Sequence, residues 1–136
     1  MELPRFHRLQ APYYRLEGTR CRDCDERHFP PRTVCPKCGR SGLEPHRFSG
    51  RATLYAATRV TQAPRGHATL APYAVALVRL EEGPLVAAQL TDCGDDPLPA
   101  GTPLEMVTRK VRDAEEHGLI VYGYKFRPLI EGAKRP

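Results

Sequence analysis

Two closely spaced cysteine pairs constrain the fold of this chain more than any other feature. They read Cys21-Arg-Asp-Cys24, then ten residues, then Cys35-Pro-Lys-Cys38. Each Cys-x-x-Cys turn can aim two thiolates at one point, and two such turns complete a tetrahedral sulfur shell about 2.3 Å from a zinc ion. Four protein ligands leave no position for water or substrate. The spacing therefore predicts a structural Zn²⁺ site and not a catalytic one.

The same cysteines have two other interpretations, which are disulfides and a redox dithiol. Disulfides need an oxidising compartment, yet the N-terminus contains no apolar run that could act as a secretion signal. A redox Cys-x-x-Cys is normally single and starts a helix, whereas two copies here flank Pro30, Pro31 and Pro36. We therefore favour zinc. The fifth cysteine, Cys93, lies in an acidic loop, and we interpret it as a bystander.

The residues after the cysteines predict a separate, strand-rich domain. A zinc ribbon has almost no hydrophobic core, so the apolar residues after Phe48 must form the main one. We expect strands at 51–61, 73–80, 85–90, 104–111 and 119–127, a hairpin turn at 81–84, loops at 62–72 and 92–103, and a turn at 112–118. Five strands, with the first long and bent, favour a small antiparallel barrel of the OB type. An SH3-like barrel has nearly the same strand count.

The chain divides into four predicted segments: a helical lead-in at 1–18, the zinc ribbon at 19–46, the OB-fold at 47–130 and a loose tail at 131–136. In the lead-in, Phe6, Leu9, Tyr13 and Leu16 recur at helical spacing and form an apolar stripe, which Pro12 must kink or split. Because a ribbon offers so little core to cover, this stripe packs either on its own domain or on a partner.

Composition and residue patterns argue against several function classes. No stretch approaches the roughly 20 apolar residues of a membrane span, so we expect a cytoplasmic protein that does not contact membranes. The formal net charge of +5 is mild and the basic residues are scattered, which makes nucleic acid an unexpected partner.

A catalytic site is not predicted. The two serines, Ser41 and Ser49, lie outside any Gly-x-Ser-x-Gly motif. The histidines form no metal or catalytic pattern, and we interpret each as a solvated residue of a loop or of the lead-in. They are His7, His28, His46, His67 and His117.

The last predicted strand carries the most suggestive binding feature. By alternation, Tyr122, Tyr124 and Phe126 share one side of this strand, and the basic residues between and after them share the other. Such aromatics could stack nucleic-acid bases on an OB barrel. We favour a core role for them, because small barrels need large inward side chains.

Four basic residues on the predicted strands are candidates for the phosphates of a small anionic ligand. They are Arg51, Arg109, Lys125 and Arg127. Small side chains on the central hairpin, Ala74, Ala76, Ala87 and Ala88, would leave shallow relief in which a thin, extended ligand could lie.

A series of short motifs runs along nearly the whole chain. In order they are the first Cys-x-x-Cys, Phe29-Pro-Pro-Arg32, Cys35-Pro-Lys-Cys38-Gly39, Ser49-Gly-Arg-Ala-Thr53, Pro72-Tyr-Ala-Val-Ala-Leu-Val78 and Phe126-Arg-Pro128. Each motif alone is weak, but their combination is specific. It resembles the acyl-CoA-associated OB-fold proteins that carry a rubredoxin-like zinc ribbon.

The resemblance implies a non-catalytic accessory subunit that binds acyl-CoA and docks on a thiolase-superfamily enzyme. That enzyme would be a thiolase, an acyltransferase or an aldolase, of steroid side-chain or other lipid or ketide metabolism, and would supply the reactive residues. Acyl-CoA would then be the ligand of the four basic residues. We expect the partner to contact the surface around the zinc, at Phe29, Arg32 and Lys37, and also Tyr13 of the lead-in. The alternative function is an OB-fold protein that binds single-stranded nucleic acid.

Overall fold

The computed structural model describes residues 3–65, 67–68, 71–112 and 120–130, which form two short helices, a three-stranded sheet and a closed five-stranded barrel. The helices are α1 (Leu3–Arg8) and α2 (Gln10–Arg15). The sheet contains β1 (Glu17–Arg20), β2 (Arg27–His28) and β3 (Glu44–Arg47). The barrel contains β4 (Arg51–Val60), β5 (Tyr73–Leu80), β6 (Leu85–Leu90), β7 (Pro103–Arg112) and β8 (Val121–Pro128). The predicted class is confirmed: a mainly β chain with an N-terminal helical segment, a ribbon and an OB-type barrel.

The helical lead-in is split, although the break lies at Leu9 and not at Pro12 itself. Proline has no N–H, and its ring clashes with the carbonyl four residues back, which belongs to Arg8 at the end of α1. The next carbonyl, that of Leu9, accepts a hydrogen bond from Tyr13 N–H at 3.1 Å and so supports α2. Leu16 caps α2 in the left-handed region (φ 52°) and is fully buried. This end of the apolar stripe therefore packs within the chain.

The ribbon sheet is built around β1, which pairs antiparallel with both β2 and β3. Gly18 is required there, because a Cβ would lie 2.1 Å from the carbonyl oxygen of His28 and 2.7 Å from the Phe48 ring. His28 is buried on β2, and His46 is half-buried on β3 with its ring centroid 4.9 Å from that of Phe48. The prediction of solvated loop histidines is wrong for these two residues, because the sheet packs against the barrel entrance at Phe48.

The barrel closes in the strand order β4-β5-β6-β8-β7, with β7 pairing back to β4. Among the described strands only β6 and β8 run parallel, and they share a single register pair, Leu90 with Phe126. The predicted hairpin is β5 and β6. The bend predicted in the first strand is a register shift between Leu54 and Ala56. It lets β4 pair with β7 near its start and with β5 along its length.

The core fills the inside of this barrel and continues to the end of α2. Its buried side chains are Leu16, Phe48, Ala52, Leu54, Ala76, Val78, Leu80, Val86, Ala88, Leu90, Leu104 and Phe126. The core role predicted for the aromatics of the last strand is right for Phe126, which is fully buried, and wrong for Tyr122, which is 45% exposed. Tyr124 is half-buried against the core. Ala76, predicted to face a ligand, instead points into the barrel, where the narrow interior requires small residues.

Two predicted segments cannot be compared. The turn at 112–118, apart from Arg112 at the end of β7, and the tail at 131–136 lie outside the described residues, as does His117. None of the described helices has the length and apolar character needed to cross a membrane.

Candidate functional site

The two cysteine knuckles have the same backbone geometry. In the first, Cys21 N–H donates to the Glu26 carbonyl at 2.9 Å, and Asp25 N–H donates back to the Cys21 carbonyl at 3.1 Å. In the second, Cys35 N–H donates to the Arg40 carbonyl and Gly39 N–H to the Cys35 carbonyl, both at 2.9 Å. Asp25 (φ 59°) and Gly39 (φ 74°) occupy equivalent left-handed positions, which glycine adopts freely and aspartate tolerates better than most residues.

These knuckles bring four sulfur atoms together. Cys21 Sγ lies 3.5 Å from Cys38 Sγ, and Cys24 Sγ lies 3.5 Å from Cys35 Sγ. All four sulfurs are within 4.8 Å of one another. A tetrahedron with zinc–sulfur bonds of about 2.3 Å has edges of about 3.8 Å, so the observed separations fit a tetrathiolate site. All five cysteines are free thiols, which excludes a disulfide among the described residues.

Backbone N–H groups prepare part of this cluster for metal binding. The Cys24 N–H points at the Cys21 sulfur and is the main cause that lowers the pKa of the Cys21 thiol to about 7. In the second knuckle the Cys38 N–H likewise lowers the pKa of Cys35. Donors that stabilise a thiolate also stabilise the same sulfur as a metal ligand. Both cysteines are also 1% exposed, so the first cysteine of each knuckle combines burial with a lowered thiol pKa.

A Zn²⁺ ion held by these four cysteines would supply folding free energy, which is about 10–16 kcal/mol in zinc-finger peptides. Because the protein provides every ligand, the site has no coordination position for a substrate. Cys93 is not part of the cluster and packs half-buried against the barrel core. The predicted ligand set is therefore the one that the fold assembles.

An aromatic joint connects the ribbon to the barrel. Phe29 lies between the knuckles in sequence, and its ring meets those of Phe48 at 6.1 Å and Tyr124 at 5.4 Å, in both cases edge to face. Behind it, Glu82 accepts a hydrogen bond from Ser49 Oγ at 2.8 Å and lies 3.7 Å from His46 Nε2. Phe29 was predicted to contact a partner. Within the chain its ring already packs against two other aromatic rings, those of Phe48 and Tyr124.

The other predicted interface residues lie at separate places. Arg32 and Lys37 are exposed on the ribbon. The Arg32 N–H donates to Thr19 Oγ1 at 3.1 Å, and Lys37 forms an exposed ion pair with Glu26 at 3.5 Å. Tyr13 lies instead on α2, half-buried beside β8.

The four predicted ligand-binding residues share the outer face of β4, β7 and β8. Register pairs place Arg51 beside Glu105, and Glu105 beside Arg127, across the three strands. Arg127 bonds Glu105 at 2.8 Å, and both Arg127 and Arg109 approach Asp92, at 3.7 and 3.4 Å. The arginines are thus brought together but are interleaved with acidic residues. Lys125, the fourth, has a different environment.

Lys125 lines a cavity of about 300 Å³ on the outer face of β5, β6 and β8, beside α2. Its walls include Tyr13, Tyr73, Val75, Gln89 and Tyr124, and we call this space the outer-face cavity. Burial, and then the nearby charges of Arg109 and Lys110, lower the pKa of Lys125. Burial also raises the pKa of Tyr124, whose hydroxyl donates to the Ala87 carbonyl at 3.4 Å.

Sequence reasoning located only part of this cavity: it predicted shallow relief at Ala87 and Ala88, which both line it. Alternation along β5 and β6 predicts which side chains face outward, and that signal points to Tyr73, Val75 and Gln89. It does not reveal that α2 lies beside β8 and supplies Tyr13 as a further wall. The burial of Lys125 depends on that long-range packing.

Comparisons with known proteins agree with this architecture. Residues 11–44 match the model of the ChsH2 rubredoxin-like zinc ribbon domain, and residues 46–109 match that of the ChsH2 C-terminal OB-fold domain. A DUF35 domain-containing scaffold protein of Pyrococcus furiosus is 45% identical over 96% of both chains. The benzoylsuccinyl-CoA thiolase subunit BbsA of Thauera aromatica is 30% identical, over 88% of this chain and 79% of BbsA.

A solved structure extends the likeness to three dimensions. The Ltp2-ChsH2(DUF35) aldolase contains a chain that superposes with a TM-score of 0.69 and 25% identity, over 93% of each chain. Matches to both domain models, in the order ribbon then barrel, cover most of the present sequence. The chain therefore belongs to the DUF35 scaffold family, whose ChsH2-type zinc ribbon precedes a ChsH2-type OB-fold domain.

Proposed function

We propose that this protein is a non-catalytic accessory subunit that docks on a thiolase-like enzyme and helps to hold its acyl-CoA. The observation that carries this proposal is the closed tetrathiolate cluster, which leaves no coordination position for a substrate and is joined through Phe29 to the barrel. A thiolase subunit and an aldolase complex among the similar proteins support a partner of the thiolase class.

One cluster of polar residues needs separate consideration as a catalytic site. Ser49, Glu82 and His46 lie together at the ribbon–barrel joint. In this cluster the glutamate lies between the serine and the histidine. A nucleophilic serine needs the histidine next to its hydroxyl to take the proton, so the order of the contacts does not suit acyl transfer.

The exposed ribbon surface is our candidate for docking. Arg32 and Lys37 are exposed, and Val34 between them is 50% exposed, so this surface combines two cations with an apolar side chain. A rigid metal-bound turn can present such residues without a hydrophobic core beneath them. Because Phe29 is used in the aromatic joint, we assign it a positioning role behind this surface.

Acyl-CoA binding is proposed for the outer face of β4, β7 and β8. Arg51, Arg109 and Arg127 lie there, with Arg109 and Arg127 meeting at Asp92. Bound phosphates would compete with Asp92 for these guanidinium groups, which bind phosphate through paired N–H donors. Free thiols throughout the chain fit a reducing, cytoplasmic setting for the complex.

Co-purification with a thiolase-like enzyme from the same organism tests the docking role. The wild-type chain should elute with the enzyme as one complex, and a Val34→Asp, Lys37→Glu double variant should elute separately while still binding zinc. As a matched control, changing exposed Tyr55 and Leu77 on the barrel to Asp and Glu should leave the complex intact. Separate elution of the two wild-type proteins, with unchanged enzyme activity, would contradict the proposal.

The alternative of single-stranded nucleic-acid binding receives less support from the geometry. In the described residues, Arg109 and Arg127 are engaged by carboxylates, and the outer-face cavity contains one cation, Lys125. A surface that tracks a phosphate backbone needs a continuous row of free cations. Salt-dependent binding of an oligonucleotide to the isolated chain would favour this alternative.

A further inference from the structure

Lys125 is 8% exposed, and its ammonium group has no hydrogen-bond or ion-pair partner among the described residues. Most of this side chain is buried, which disfavours its charged form, although Nζ itself keeps some contact with solvent. Two cations on the neighbouring strand, Arg109 and Lys110, disfavour the charge further. An anion that entered the cavity beside Lys125 would offset both effects.

Two acidic residues described near this face, Glu105 and Asp92, already contact arginines. Glu105 bonds Arg127 at 2.8 Å, and Asp92 lies 3.4 Å from Arg109 and 3.7 Å from Arg127. The counter-charge that Lys125 lacks is therefore not supplied by these residues. An incoming anion would meet a site with net positive potential.

The shape of the outer-face cavity limits what that anion can be. Its volume of about 300 Å³ is at the lower end of the range for small-molecule sites, about 300–1,000 Å³. Tyr13, Val75 and Tyr124 provide mostly apolar walls, so the body of the ligand should be apolar. Gln89 lines the same cavity, and its buried Oε1 has no hydrogen-bond partner, which leaves an acceptor for a ligand hydroxyl or amide. One buried cation matches a single carboxylate better than a polyphosphate.

We propose that the outer-face cavity binds an amphipathic carboxylate, with the apolar chain between α2 and the barrel and the carboxylate accepting a hydrogen bond from Lys125 Nζ. This site is distinct from the acyl-CoA surface proposed above, whose phosphate contacts would be Arg109 and Arg127. The inference does not depend on docking to an enzyme and can be tested with the isolated, zinc-loaded chain.

The test is a titration with octanoate, followed by NMR of the labelled protein. Octanoate should give saturable shifts at the amides of Val75, Gln89 and Gly123 and at Lys125 Cε. Octanamide, which has the same size but no charge, should bind at least about tenfold more weakly, as expected when one charge-assisted hydrogen bond is lost.

Three variants separate the cavity from general charge effects. Lys125→Met should weaken octanoate binding about tenfold, whereas Arg79→Met, which removes an exposed charge outside the cavity, should change it by less than about twofold. Ala87→Leu, at an exposed position on the cavity wall, should block the ligand without altering any charge.

Several results would overturn the inference. Equal binding of octanoate and octanamide would show that Lys125 does not hold the anion. If coenzyme A displaces octanoate, and Lys125→Met weakens the binding of both, then Lys125 belongs to the proposed acyl-CoA surface and not to a separate site. No octanoate binding to the free chain, together with weaker enzyme docking in Lys125→Met, would identify a partner carboxylate as the counter-charge. Failure of docking alone contradicts only the proposed function.

Discussion

Phe29 of the ribbon and Tyr124 of β8 pack edge to face, with ring centroids 5.4 Å apart and ring planes at 84°. Tyr124 also forms part of the wall of the outer-face cavity. One aromatic contact thus connects the segment between the two zinc knuckles to a residue that lines the outer-face cavity. The metal site can therefore influence the barrel although it lies outside it.

The first prediction concerns this contact. In a double-mutant cycle, Phe29→Leu and Tyr124→Leu should show a coupling free energy of about 0.5–1.5 kcal/mol, the range for an edge-to-face aromatic pair. Chemical denaturation of the four zinc-loaded proteins measures it. A cycle between Phe29→Leu and Tyr55→Leu, which changes an exposed tyrosine on β4, should be additive within about 0.5 kcal/mol. Additivity in the first cycle would mean that the rings touch without coupling the two parts.

The second prediction concerns the metal. The purified chain should contain one Zn²⁺, and Cys35→Ser should lose it, because removing a buried thiolate opens the tetrahedral shell. Cys93→Ser is the matched control and should retain full zinc content, since Cys93 lies outside the cluster. Elemental analysis and thermal denaturation measure both effects. Equal zinc loss in the two variants would contradict the assignment.

Zinc affinity should fall as the pH falls, because protons compete with the metal for all four thiolates. Titration with acid in the presence of a chromogenic chelator should therefore release zinc. The NMR amide signals of β1 to β3 should be lost over the same pH range. Retention of those signals after zinc release would show that the ribbon folds without the metal.

The third prediction concerns Gly18. Gly18→Ala should destabilise the protein by at least about 3 kcal/mol, because the new Cβ would meet the His28 carbonyl oxygen at 2.1 Å and neither backbone can move freely within the sheet. Gly42→Ala is a control with a positive φ of 74° and open space around the Cβ, and should cost about 1 kcal/mol. Comparable losses in the two variants would contradict the close packing of β1 on β2.

The fourth prediction concerns the unpaired Lys125. Without ligand, Lys125→Met should stabilise the protein at pH 7 by up to about 1 kcal/mol, because it removes a largely buried cation that has no ion-pair partner among the described residues and is only partly screened by solvent. The pKa of Lys125 is lowered in the folded state, so the unfolded chain holds this proton more tightly. The wild-type protein should thus gain stability as the pH rises from the folded pKa toward 10.5, and the advantage of Lys125→Met should shrink over that window. Arg79→Met, which removes an exposed cation that does not act on Lys125, should show no such pH-dependent difference.

Much of the architecture could be predicted from local patterns. The spacing of Cys21, Cys24, Cys35 and Cys38 predicts the metal cluster, because a knuckle places its ligands through local backbone geometry. The barrel strands follow from runs of β-forming residues between turn residues, and β5 and β6 were predicted within their observed bounds. The position of the helix break was less accurate, because the effect of Pro12 is felt at the carbonyl four residues earlier.

The errors arose where distant segments meet. His28 and His46 look like loop residues in the sequence, but each lies on a short strand whose burial depends on packing against Phe48. Tyr122 and Phe126 alternate identically along β8, yet only Phe126 is fully buried. The reason is that Phe126 lies where β6 pairs with β8, whereas at Tyr122 the strand pairs with β7 alone.

The sequence by itself determined the zinc ligands and the order of ribbon and barrel, since both depend on contacts between residues that are near one another in the chain. Only the tertiary structure decided the environment of Lys125. Its neighbours come from α2, β5, β6 and β7, which are distant in sequence. Whether a lysine is solvated or buried without a counter-charge depends on how these elements pack, and no local pattern records that packing.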